Sequence, residues 1–129
     1  MRVFKTKSFM RYARQEKIKD TNLCDAITRA KHGLVDADLG GGIIKQRVAR
    51  TGQGRSGGFR LIIAYRSGNM AVFLHGFAKS EQANIEENEL KTLQEIGAEW
   101  LKAKKEHLEK AIKAGIIWEV ICEDKKNKT

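Results

Sequence analysis

The sequence predicts an α+β protein: a small antiparallel sheet, made of an N-terminal strand plus a three-stranded meander, packed against two N-terminal helices and a C-terminal helix. Three patterns carry that prediction. Residues 2–6, "RVFKT", alternate apolar and basic side chains; residues 43–79 hold three runs of strand composition parted by glycine-containing turns; residues 84–115 repeat apolar side chains at helical spacing. At 129 residues the chain has room for one hydrophobic core and not two. Residues 1–115 read as the domain, and 116–129 as a strand-like segment, "IIWEVIC", with a charged tail.

Each element has its own signal. After the first strand, Ser8 is a candidate N-cap, and Phe9, Tyr12, Ala13 and Ile18 form an uneven apolar stripe. A second helix restarts at Asp20 or Thr21, turns Leu23, Ile27 and Ala30 inward, and stops at Gly33. "DADLGGG" at 36–42 breaks the pattern. "IIKQRVAR" then alternates, so that Lys45 and Arg47 share one strand face while Ile44 and Val48 share the other. "TGQGRSGG" connects it to "FRLIIAYR", and "SGN" turns the chain into "MAVFLHGFAK". From Asn84 or Asn88 the acids lead and the lysines trail along a helical region ending at Gly115, with a polar gap at Lys104 and Lys105 that marks a break into two helices.

Charge is distributed unevenly over this plan. The chain carries 25 Lys and Arg against 16 Asp and Glu, a net of +9. Up to Ser80 there are sixteen basic and five acidic residues; from Glu81 onward there are nine and eleven. Between Leu39 and Ser80 seven basic residues occur without a single acid. Like charges on neighbouring strand positions oppose folding, so a meander this basic implies an anionic partner, most simply nucleic acid. The alternative is a solvated face kept charged for solubility.

No apolar run approaches the length of a membrane span, and the N-terminus lacks the hydrophobic core of a secretory signal, so the expectation is a cytoplasmic protein with no membrane partner. Cys24 and Cys122 lack metal-ligand spacing and read as small, buried, unpaired hydrophobes in a reducing compartment. His32, His75 and His107 form no spaced cluster with cysteine or carboxylate, so neither a metal nor another cofactor is expected.

The order strand, two helices, basic meander, helix resembles the RelE/ParE superfamily of toxin–antitoxin toxins. Within it, "IIKQRVARTGQGRSGGFRLIIAYR" and "FLHGFAKSEQANI" are similar to the branch containing HigB-type toxins. The resemblance covers residues 1–100 or so. It implies a RelE-like fold and a toxin that cuts messenger RNA on the ribosome, an mRNA interferase, neutralised by a cognate antitoxin, commonly of helix-turn-helix type. It places Lys45 and Arg47 at the family's strand bases, Arg60 at the arginine after the Gly-aromatic pair, and Lys79 at the lysine closing the last strand. Two positions depart from RelE: Ser80 stands where an arginine follows that lysine, and Glu86 where a tyrosine comes later. Cleavage by this chain therefore requires a variant arrangement. Within the same fold the rival is a ParE-like inhibitor of DNA gyrase that performs no chemistry; outside it, a non-toxic nucleic-acid-binding module.

The residue types suit metal-independent RNA cleavage, in which the ribose 2′-hydroxyl attacks its own 3′-phosphate. Arg47 and Arg60 offer planar forks for phosphate oxygens. Lys45 and Lys79, crowded by arginines, are candidates for proton transfer. His75 shares sequence parity with Phe73, Phe77 and Lys79 and is a further acid or base candidate, against the alternative of a histidine satisfied by aromatic packing, since nothing in the sequence supplies a partner to orient its ring. Arg50, Arg55 and Arg66 are candidate RNA contacts, and Phe77 a candidate base-stacking ring against the alternative of core packing. A surplus apolar stripe through Trp100, Leu101, Leu108 and Ile112 is available to the core, to an antitoxin, or to a second copy.

Overall fold

Alternation in the strands and helical periodicity in the flanks produce a three-layer arrangement, with helices on both faces of one sheet. The computed structural model describes residues 1–50 and 57–122. Its strands are β1 (Arg2–Thr6), β2 (Ala37–Gly40), β3 (Ile43–Val48), β4 (Phe59–Arg66), β5 (Met70–Ala78) and β6 (Ile117–Val120). The helices are α1 (Lys7–Glu16), α2 (Asp20–Lys31), α3 (Glu87–Lys102) and α4 (Lys105–Lys113). The α+β expectation holds, and so does the break between the last two helices.

The sheet is larger than expected and is mixed. Its order is β2-β3-β4-β5-β1-β6, because "ADLG" pairs with β3 and "IWEV" pairs with β1. β1 runs parallel to β5, inserted between the meander and β6. Arg2 fastens that edge: its Nε and Nη2 each donate at 2.9 Å to the two carboxylate oxygens of Glu119, and Nη2 lies 3.1 Å from Glu109.

The helix caps differ from the sequence expectation by a residue or more. Thr6, not Ser8, caps α1, its Oγ1 accepting from Phe9 N at 3.3 Å. Lys19 is the N-cap of α2, and its own N–H donates to Asn22 Oδ1 at 3.0 Å. Glu86 takes the N-cap of α3 rather than Asn84 or Asn88.

One core lies between the sheet and α1–α2, built on Phe9, Leu23, Ile27, Ile44, Leu61, Ile63 and Phe73. A second lies beneath α3 and α4, built on Phe4, Ile43, Ile62, Val72, Leu74 and Leu93. Gly97 lets α3 sit close to the sheet, for a Cβ there would come within 2.7 Å of Ile43 Cδ1 and 3.1 Å of Ala64 Cβ. The surplus stripe on these helices is largely spent in this core, where Leu101 and Leu108 are buried and Trp100 and Ile112 pack partly covered.

The cysteine reading is corrected. Cys24 on α2 and Cys122 beyond β6 form a disulfide, with Cα atoms 5.5 Å apart across a sequence separation of 98. No spacing of residues signals it, because the pair meets only when β6 joins the edge of the sheet. No helix of the described residues is long and apolar enough to cross a membrane.

Candidate nucleic-acid interface

The strand register decides where the basic residues stand. Arg47 faces Arg60 across β3 and β4, and Arg60 faces Phe77 across β4 and β5. One row away, Lys45 faces Ile62 and Ile62 faces His75. Both rows lie on the α3 side of the sheet, as Ile62 and Phe77 in that core establish. Lys79 follows Phe77 by two positions at the end of β5, where its N–H donates to Gly58 O at 3.1 Å. Lys45, Arg47, Arg60 and His75 therefore share one face of the sheet, and Lys79 follows just past the end of β5.

A bulge makes this possible. The pairing of β4 with β5 shifts between Ile62, opposite His75, and Ile63, opposite Phe73, leaving Leu74 as the extra residue. Leu74 and His75 consequently point to the same side, and every later residue of β5 is inverted relative to an unbroken strand. The sequence parity that grouped Phe73 with His75 and Phe77 is corrected accordingly: Phe73 lies in the opposite core.

Buried polar contacts hold β3 in place. Gln46, fully buried, donates Nε2 to Ala26 O at 2.9 Å and Leu34 O at 3.2 Å, and accepts from Asp36 N at 2.8 Å. Asp36 Oδ2 accepts the backbone N–H of Arg47 at 2.6 Å and lies 3.4 Å from Arg29 Nη1. The acid thus meets the backbone of Arg47 and leaves that guanidinium to the surface, where Arg47 is exposed and Arg60 beneath it is 5 % exposed. Burial first, and the neighbouring Arg47 second, lower the pKa of Arg60, with Asp36 acting in the opposite sense. A phosphate between the two guanidiniums turns their repulsion into attraction.

A few bases are paired with acids. Arg2, Lys5, Arg29 and Arg50 each have a carboxylate within 4 Å. Lys45, Arg47 and Lys79 form no ion pair among the described residues.

Three candidates fall outside the group. Arg50 lies on the α1 side, stacked 5.3 Å over the Phe59 ring and 3.8 Å from Glu16, because it shares the parity of Val48 rather than of Arg47. It lines a polar cleft of about 570 Å³ with Glu16, Lys17 and Lys19 that includes none of the cationic rows. Arg66 ends β4, six residues from Arg60 and so about 20 Å along the strand. Phe77 is 5 % exposed and packs in the α3-side core, which leaves no open ring face for a base. Arg55, in the glycine-rich connection, lies outside the described residues. Ser80 and Glu86 are both exposed, Ser80 just past β5 and Glu86 at the cap of α3.

Sequence reasoning missed Glu89. From the first turn of α3 its Oε2 reaches to 3.3 Å from His75 Nε2. Nε2 is sealed from solvent and the carboxylate lies off the line needed for a formed hydrogen bond, so the contact is one of charge proximity. Only the packing of α3 across the sheet, set at Gly97, brings the two together.

The fold is α+β, with helices on both faces of a mixed sheet whose α3 side carries Lys45, Arg47 and Arg60. The model of the family described as the RelE toxin of the RelE/RelB toxin–antitoxin system matches residues 1–120, and the chain belongs to that family. Membership implies a cognate antitoxin as partner. No curated protein matches the chain.

Proposed function

We propose that this toxin is a ribosome-dependent messenger RNA endoribonuclease that inhibits translation and acts in the cytoplasm, held in check by an antitoxin of helix-turn-helix type. The observation that supports the reading is the strand register that sets Arg47 opposite Arg60, with Lys45 and His75 one row away on the same face of the sheet. Cleavage proceeds without metal. Arg47 and Arg60 bind the scissile phosphate and stabilise the extra negative charge of its transition state. Proton transfer to and from the reacting oxygens falls to groups on the same face, for which Lys45, Lys79 and His75 are the candidates. The departures at Ser80 and Glu86 are met by drawing these groups from the strands themselves.

The test is in vitro translation with and without purified protein, followed by primer extension on the message. Codon-phased breaks produced by wild type and lost in Arg60→Ala and Lys79→Ala support the reading. Intact messages overturn it; intact messages combined with growth arrest and DNA-damage signalling in cells identify a gyrase inhibitor, and healthy growth leaves a binding module.

A further inference from the structure

Resting on that reading, we propose that His75 is the catalytic base of the cleavage and that Glu89 is its positioning residue, selecting the ring tautomer that leaves Nδ1 as the reactive nitrogen. Three observations converge. The β5 bulge turns His75 onto the face of Arg47 and Arg60, and bulges beside functional sites commonly re-aim one side chain. Glu89 Oε2 stands 3.3 Å from Nε2, the nitrogen sealed from solvent. His75 is the histidine of the cationic face, one row from Arg60 and two strands from Lys45.

The selection is electrostatic. An unprotonated Nε2 would hold its lone pair close beside a carboxylate, which is repulsive, whereas a protonated Nε2 is attracted to it. The neutral ring is therefore held with its proton on Nε2 and its lone pair on Nδ1, which makes no hydrogen bond among the described residues. Glu89 comes from α3, and the bases that the register sets nearest on the same sheet face are Lys45 from β3 and Arg60 from β4, neither of which can accept a proton from Nε2. In the reaction Nδ1 takes the proton of the 2′-hydroxyl, that oxygen bonds to phosphorus, and the bond from phosphorus to the 5′-oxygen breaks. A lysine of the face, Lys79 or Lys45, protonates the departing oxygen. The products are a 2′,3′-cyclic phosphate and a 5′-hydroxyl, with no water consumed.

The alternative role for Glu89 is a carboxylate that merely complements the helix N-terminus, worth a few tenths of a kcal/mol in stability and nothing in catalysis. Two measurements separate the roles. Nitrogen-15 NMR of the isolated wild-type protein should show neutral His75 protonated on Nε2, and Glu89→Gln should mix the tautomers; a wild-type ring protonated on Nδ1 overturns the proposal whatever the activity. In the translation assay Glu89→Gln should lower kcat about tenfold or more with KM unchanged, His75→Ala should lower it about 100-fold or more, and added imidazole should restore part of the latter. If wild type cuts and Arg60→Ala does not, while Glu89→Gln and His75→Ala cut at the wild-type rate, this assignment fails and the ribonuclease reading stands. If wild type cuts nothing, both fall.

Discussion

Leu74 and His75 are neighbours in sequence, yet both side chains lie on the α3 side of the sheet, because Leu74 is the extra residue of a bulge opposite Ile62 and Ile63. Deleting Leu74 removes the extra residue and restores strict alternation after Phe73, with His75 and Phe77 still on the α3 face. The deletion should destabilise the fold through the lost Leu74 packing and the altered strand twist, yet retain message cleavage wherever the protein is folded, measured by primer extension. Leu74→Ala keeps the bulge; it should cost about 2–4 kcal/mol in urea denaturation and retain cleavage wherever the protein is folded.

Gly58 precedes β4 where three strand ends meet. A Cβ at this position would lie 2.2 Å from Val48 O and 2.8 Å from Arg50 N, both backbone atoms that no rotamer change can move. Gly58→Ala should therefore cost about 2 kcal/mol or more and shift the amide resonances of Val48, Arg50 and Lys79 before those of the far sheet end. Gly33, with φ +79° and open space around it, should respond through backbone strain alone.

Much of this architecture was legible in the residues, and what was missed shares one physical cause. The alternation of Ile43 to Val48, the SGN turn, the polar gap at Lys104 and the acid-free meander are local signals, and they correctly placed the meander, the helix break and the shared face of Lys45 and Arg47. The bulge at Leu74, the disulfide between Cys24 and Cys122, the pairing of "IWEV" with β1 and the reach of Glu89 to His75 are all long-range. No spacing within one element encodes them. Arg50 shows the intermediate case: strand parity alone separates it from Arg47, and extending the alternation past Val48 would have put it on the opposite face.

Gln46 is a buried polar residue with each of its side-chain contacts made to backbone. Gln46→Leu is nearly isosteric and strands Ala26 O, Leu34 O and Asp36 N without their partners. The expected loss is about 2–4 kcal/mol, read from denaturant midpoints. Asp36 then loses its fixed position, so Arg29 and the Arg47 backbone should show faster amide exchange than the β4–β5 pair.

The disulfide closes a loop spanning 98 residues of separation, from α2 to the end of β6. Reduction, or Cys24→Ser with Cys122→Ser, should lower stability by about 2–4 kcal/mol. Because the bridge lies at the β6 edge and the cationic rows lie on β3, β4 and β5, message cleavage at low temperature should survive reduction. Denaturation curves with and without reductant, run beside the translation assay, check both halves of the expectation.

Glu119 ties pH to the same edge. Its hydrogen bond from Arg2 is the chief cause that lowers its pKa from the ordinary 4.5, with burial opposing. A carboxyl whose folded pKa is depressed contributes stability that is present above its unfolded value and is lost as pH falls through the folded one. Both side chains are about a third exposed, at 34 % and 30 %, so solvent screening holds the contribution to about 1 kcal/mol at neutral pH. Glu119→Gln should remove that increment above pH 4.5 and flatten the acid limb of the stability curve, wild type and variant converging as pH falls further. Parallel denaturation curves that keep a constant gap down through that range would show that β6 is held by its backbone ladder with β1 and its packing rather than by the charge pair.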